Sequence, residues 1–165
     1  MKAAEQGLGD AQYNVGFFYG NGIGVEKDEK EAFEWYLKAA EQGLAKAQLA
    51  VGKSYLLSKG VDSDFSLAFK WLTKAAAQHE TKAYCYLGQM YMNGMSVPKS
   101  PYTAVKYYTI SAENGFEIAQ YLLGECYEEG VGVAEVDMGK AMYWYRKAAE
   151  QGDEEAIEKL KELGE

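Results

Sequence analysis

Proline, cysteine and histidine are nearly missing from this chain, with 2 Pro, 2 Cys and 1 His in 165 residues. So few prolines leave little to break helices. Cys85 and Cys126 are too few for a disulfide framework, and no Cys-x-x-Cys occurs. Basic clusters are also lacking. The longest basic run is Arg146-Lys147, and 25 acids outweigh 17 bases for a formal charge of −8. Duplex nucleic acid and anionic membrane surfaces both call for a basic patch, so neither is an expected partner. No stretch approaches the roughly 18 consecutive apolar residues of a membrane span. There is no Asn-x-Ser/Thr sequon, and Met1-Lys2 runs into Ala3-Ala4-Glu5-Gln6-Gly7 without a leader's apolar stretch. The charge is uneven: residues 150–165 hold seven acids and two lysines, leaving about −3 for the rest.

What is present is glycine and tyrosine, 18 Gly and 14 Tyr beside only 6 Phe, in a chain 48% hydrophobic. That composition excludes wholesale disorder and suffices for a domain with a core. Sorted by position, the glycines show a period. Gly16, Gly52, Gly88 and Gly124 are each 36 apart, as are Tyr19, Tyr55, Tyr91 and Tyr127, and Ala11, Ala47, Ala83 and Ala119. A second half-unit repeats as Ala32, Ala68, Ala104 and Ala141, and as Trp35, Trp71, Tyr107 and Trp144. Its last step is 37, through one extra loop residue near Glu135. Each unit closes on a phrase like Ala39-Ala40-Glu41-Gln42-Gly43, which also stands at residues 3–7.

Each unit reads as two helices. Helix A runs from about Asp10 to Tyr19 in the first repeat, with Ala11, Val15, Gly16 and Tyr19 on one stripe. Gly20-Asn21-Gly22-Ile23-Gly24-Val25 then forms a turn of residues that tolerate positive φ. Asp28 is the expected N-cap of helix B, with Glu31 completing a capping box. Asp64, Ser100 and Asp137 share its column, and Pro101 suits the first helical position. Helix B carries Ala32, Trp35, Tyr36, Ala39 and Ala40, and Gly43 suits a left-handed C′ position. A mid-helix Gly costs about 0.8–1 kcal/mol against Ala. The Gly16 column is therefore expected where two helices approach closely, facing the Ala32 column.

The pattern from Ala11-Gln12 through Val15-Gly16, Tyr19, Gly22-Ile23-Gly24-Val25, Asp28, Ala32, Trp35-Tyr36 and Lys38-Ala39-Ala40-Glu41-Gln42-Gly43 resembles the Sel-1-like repeat, a relative of the tetratricopeptide repeat. The resemblance covers almost all of the chain. It implies an all-α, right-handed α-solenoid of four helix-turn-helix repeats of 36–37 residues. One repeat domain is expected over 1–165. It comprises the end of a preceding helix (1–7), repeats at 8–43, 44–79, 80–115 and 116–152, and a C-terminal capping helix (153–165). The cap has Ala156, Ile157, Leu160 and Leu163 apolar with a charged outer face. The unpaired N-terminal fragment reads as the cut edge of a longer array, a surface for self-association. Ser58 stands where Gly22 does and Ser96 where Gly24 does, so those two loops are expected to be reshaped.

No catalytic constellation emerges. Ser96-Val97-Pro98-Lys99 fits S-x-x-K, but Pro98 divides it and the motif's partners are missing. Some relatives have been linked to β-lactam binding, which makes a β-lactam-processing enzyme the rival reading. His79 occupies the Gly43 column and reads as a helix-end residue. Some secreted relatives pair cysteines within each repeat. Cys85 and Cys126 do not follow that pattern and are expected as free, partly buried thiols. With His79 they lack ligand spacing, so no metal and no cofactor is expected.

By analogy with tetratricopeptide geometry, helix A lines a concave surface. Its exposed columns read Tyr13, Leu49, Cys85, Tyr121; Phe17, Lys53, Gln89, Glu125; Gly20, Leu56, Met92, Glu128; and Asn21, Leu57, Asn93, Glu129. They vary while the core columns do not. Tyr13, Phe17, Asn21, Lys53, Gln89, Asn93, Tyr121 and Glu125 are the candidate contacts of a scaffold or adaptor that docks a peptide or protein partner. The alternative for Tyr13, Phe17 and Tyr121 is packing between neighbouring helices. A further alternative is a purely structural segment of a longer array.

Overall fold

The computed structural model describes residues 2–164. It contains ten helical elements and, among the described residues, no strand. They are α1 (Lys2–Glu5), α2 (Gly9–Asn21), α3 (Glu29–Glu41), α4 (Ala45–Leu57), α5 (Phe65–Ala76), α6 (Thr81–Asn93), α7 (Pro101–Glu113), α8 (Glu117–Glu129), α9 (Met138–Ala149) and α10 (Glu154–Glu162). Helices α2, α4, α6 and α8 are the A helices; α3, α5, α7 and α9 are the B helices. The chain is an all-α helical repeat solenoid. The expected segments 1–7 and 153–165 begin and end on Met1 and Glu165, which lie outside the described residues. The chain divides into two compact units, Met1–Ala83 and Tyr84–Glu165, and each is described by itself.

The helix starts follow from their caps. The side chains of Asp28, Asp64 and Asp137 accept from the backbone N–H of Glu31, Leu67 and Lys140 at 2.9, 2.9 and 3.0 Å. Ser100 does the same for Thr103 at 3.3 Å, with Pro101 beginning the helix behind it. Asp153 caps α10 on Ala156. The capping box at Asp28 is only half formed. The Glu31 carboxylate accepts from the Trp35 indole at 2.8 Å instead of reaching back. The Asp28 N–H donates to the Tyr19 carbonyl at 3.0 Å, which closes the loop between the two helices. The Asp64, Ser100 and Asp137 N–H groups close their loops in the same way on Tyr55, Tyr91 and Tyr127.

The loops with serine are not reshaped. Ser58 and Ser96 hold φ of 54° and 61°, matching Gly22 at 68° and Gly24 at 70°. His79 likewise holds 62° in the column of Gly43. The hydrogen bonds that fix each turn outweigh a left-handed cost of about 1–2 kcal/mol per non-glycine residue.

Mid-helix glycines sit at the closest helix contacts, though the covering residue is one turn beyond the expected alanine. A Cβ on Gly16 would stand 2.8 Å from Tyr36 Cδ1, with the Ala32 carbonyl at 3.0 Å. Leu72 covers Gly52 and Tyr145 covers Gly124 in the same manner. Around these contacts the first unit buries Phe33, Ala39, Ala40, Ala47 and Val51. The second buries Cys85, Ala104, Tyr108, Ala112, Ala119 and Leu123 among others.

Glutamines join successive repeats. Gln12 Nε2 donates to the Ala4 carbonyl at 3.2 Å, while its Oε1 accepts from Gln42 at 2.7 Å. Gln48 bonds Ala40 and Gln78 in the same way, and Gln120 bonds Ala112 and Gln151. All three relay glutamines are buried, where an amide left without partners would cost about 1–3 kcal/mol. In the third repeat, Tyr84 and Asn114 occupy the two columns.

Candidate functional site

In the first unit, Tyr13, Phe17, Asn21 and Lys53 line one cavity of about 510 Å³. Helices α2, α3 and α4 supply most of its wall, with Tyr36 and Leu49 adding apolar surface. The Tyr13 ring tilts against Tyr36 with centroids 5.4 Å apart. The Lys46 ammonium lies 4.7 Å from the Tyr13 ring centre and 2.8 Å from Asp10. Burial, helped by the nearby Tyr13, pushes the Tyr36 hydroxyl up to about 12, so it stays a neutral phenol. Phe17 is 43% exposed, an aromatic ring left open at the cavity's edge. Asn21 spends its amide on the Phe17 carbonyl at 2.8 Å, which secures the end of α2. Lys53 is half-buried.

In the second unit the candidate residues form two pairs. Asn93 donates to the Gln89 carbonyl at 2.9 Å on α6. On α8, Tyr121 hydrogen-bonds Glu125, and its ring packs 5.5 Å from Tyr145. Burial, then the Glu125 charge, pushes the Tyr121 phenol up to about 12. Burial also raises Glu125, against the lowering effect of the Tyr121 bond. Glu128 behaves oppositely. Burial pushes it up, but hydrogen bonds from Tyr145 at 2.6 Å and Lys159 at 3.0 Å together hold it below the usual carboxylate range.

One expected surface position is corrected. Cys85 is 1% exposed, because its small side chain drops into the core beside Ala104 and Tyr108. Tyr13, Leu49 and Tyr121 in the same column are half-buried. Both thiols are free, and burial pushes each up to about 12, which keeps them protonated and unreactive.

Residues 9–44, 45–79, 81–116 and 118–153 each match the Sel1 repeat. The chain belongs to the Sel1 repeat family. Such repeats generally serve as protein-interaction scaffolds. Among solved structures, a Sel1 repeat protein from Oxalobacter formigenes is 39% identical with a TM-score of 0.90, covering 94% of this chain and 62% of its own. A protective antigen of uropathogenic Escherichia coli strains, displaying an SLR fold, is 36% identical with a TM-score of 0.82 over 94% of this chain and 33% of its own. Helicobacter pylori cysteine rich protein B is 27% identical with a TM-score of 0.62 over 79% of this chain and 93% of its own. The chain thus spans 62% and 33% of the length of the first two. The curated proteins contain no match.

In this Sel1 repeat chain, Ser96 to Lys99 lie in the loop after α6, so the serine and lysine do not share a helical turn. His79 is exposed at the end of α5. Among the described residues, no group of three or more His, Cys, Asp or Glu could hold a metal ion, and no helix is long and apolar enough to cross a membrane.

Two features escaped the sequence. The first-unit cavity is also lined by Lys27, Lys46, Lys59 and Lys82. Lys46 and Lys82 are 36 apart, one turn ahead of the Tyr13 column, and that shared column was a usable signal. The other is an apolar groove of about 800 Å³ in the second unit, lined by Tyr102, Val105, Ile110, Tyr127 and Val133 among others. In the first unit, Phe33 fills the corresponding place and meets Tyr55 edge-on at 5.3 Å. Val105 is too short to do so, and Tyr102 and Ile110 replace Lys30 and Lys38 at the rim.

Proposed function

We propose that this chain is a protein-binding module, an adaptor or scaffold without catalysis of its own, that seats a peptide or protein segment on its helix A face. The supporting observation is that Tyr13, Phe17, Asn21 and Lys53, picked out by column, line a single cavity. An open aromatic ring beside half-buried tyrosines offers a large contact area at small conformational cost, the kind of surface on which binding hot spots concentrate. The alternating repeats hold these side chains on rigid helices. Gln89, Asn93, Tyr121 and Glu125 offer a second patch of amide, phenol and carboxylate on the A helices of the other unit.

The test is peptide selection on the immobilised chain, with Phe17→Ala as the counter-target. Enriched peptides should lose at least about tenfold in affinity for the variant, as a truncated hot-spot residue does. Peptides that bind both proteins equally would remove the helix A cavity as the binding site.

A further inference from the structure

The cavity of the first unit is basic in an acidic protein. Five lysines, Lys27, Lys46, Lys53, Lys59 and Lys82, line it against one carboxylate, Glu29, while the whole chain carries −8. Lys46 and Lys53 come from α4, Lys27 and Lys59 from the loops after α2 and α4, and Lys82 from the start of α6. Lysines scattered along the sequence therefore converge on one recess. Lys27 lies 3.0 Å from Glu29. Lys46 lies 2.8 Å from Asp10, which stands outside the recess, so five ammonium groups meet two carboxylates and the recess keeps a positive excess. Low-dielectric sides formed by Tyr13, Tyr36 and Leu49 concentrate the field of the ammonium groups within the recess.

We propose that the segment bound here is acidic: an Asp/Glu-rich stretch of a protein partner, with one apolar side chain set against Tyr13 and Phe17. This rests on the reading of the helix A face as a protein-binding site and names the chemistry of its partner. Three features favour an acidic peptide over nucleic acid. A recess of about 510 Å³ admits a few side chains and does not form a track for a backbone. Phosphates running beyond it would meet a chain of net charge −8. The aromatic and aliphatic wall needs an apolar anchor beside the charge, which alternating peptide side chains supply.

The experiment measures fluorescence anisotropy on the full chain with three labelled probes of equal length. One is a peptide of glutamate and aspartate around a central leucine. The second has glutamine and asparagine in their place, and the third is a single-stranded oligothymidylate. The acidic peptide should bind at least about tenfold more tightly than its amide twin, and the difference should shrink as salt screens it. Lys53→Glu with Lys59→Glu should abolish the preference. Lys59→Gln, at an exposed position, should weaken it if the double variant fails to fold. Equal binding of the two peptides, still weakened by Phe17→Ala, would overturn the acidic partner and leave the helix A reading standing. Absence of binding by every probe, or binding that Phe17→Ala leaves unchanged, would overturn both. Tighter binding of the oligothymidylate would assign the recess to nucleic acid. A second copy of the chain displaced by the acidic peptide in sedimentation would assign it to the chain's own acidic C-terminal segment. Either outcome would overturn the proposal.

Discussion

The Tyr145 hydroxyl donates a 2.6 Å hydrogen bond to the Glu128 carboxylate, whose other oxygen lies 3.0 Å from the Lys159 ammonium. One carboxylate thereby ties α9 and α10 to α8. A hydrogen bond to a charged group contributes about 1.5–3 kcal/mol. Tyr145→Phe keeps the ring over Gly124 and removes only the hydroxyl, so urea unfolding should show a loss in that range. A change under about 0.5 kcal/mol would mean that water replaces the phenol at no cost.

Acid should act on Glu125 and Glu128 with opposite signs. The folded-state pKa of Glu128 is depressed. Its contribution is therefore present above the unfolded value of about 4.3 and lost as pH falls through the lower folded value. Glu125 is raised, chiefly by burial. Its charge opposes folding above that raised value, and protonation relieves the opposition as pH falls. Stability measured in urea from neutral pH downward should therefore hold or rise before it drops. Glu125→Gln should remove the early part of that profile, and Glu128→Gln should soften the late drop.

Gly16 and Gly139 should answer differently to the same substitution. In a solvated helix, Gly→Ala gains up to about 1 kcal/mol. Gly139 is exposed on α9 with only the Asp137 carboxylate near a new Cβ, at 3.4 Å. Gly139→Ala should stabilise. Gly16→Ala must move Tyr36 and press on the Ala32 carbonyl, so overpacking of about 1–3 kcal/mol should reverse the sign. Thermal melts of the two variants decide it.

Ser58 and His79 hold left-handed backbone where sister repeats use glycine. Ser58→Gly and His79→Gly should each stabilise by up to about 1 kcal/mol, the strain removed less the extra freedom of the unfolded chain. The opposite case is Gly60, where a Cβ would overlap the Glu29 carbonyl. Gly60→Ala should cost about 2–3 kcal/mol, since both the conformation and the space exclude a side chain.

The fold was legible because every repeat restates it. The Gly16, Tyr19, Ala32 and Trp35 columns and the Asp28-type caps recur at fixed spacing, and each recurrence reports the same local packing. What misled was competition that a spacing rule cannot weigh. Glu31 has the capping-box position, yet the Trp35 indole takes its carboxylate. Ser58 and Ser96 lack glycine's freedom, yet turn hydrogen bonds impose the conformation. Cys85 shares a column with Tyr13 but is small enough to enter the core. The candidate site was half legible. Tyr13, Phe17, Asn21 and Lys53 come from the variable columns, whereas Lys27 and Lys59 come from loops whose approach to that wall only folding establishes.

The glutamine relays give the stack a direction. Gln12 turns its Nε2 to the preceding helix end and its Oε1 to Gln42 of its own repeat. Its amide therefore has one acceptable orientation, and the two ends of a repeat are chemically distinct. Residues 12 and 42 form an inseparable pair in any exchange of repeats. A transplanted segment that carried Gln12 without Gln42 would bring a buried oxygen with no donor. An array lengthened by copying residues 8–43 keeps its joint intact, whereas copying 80–115 brings Tyr84 and Asn114 in its place.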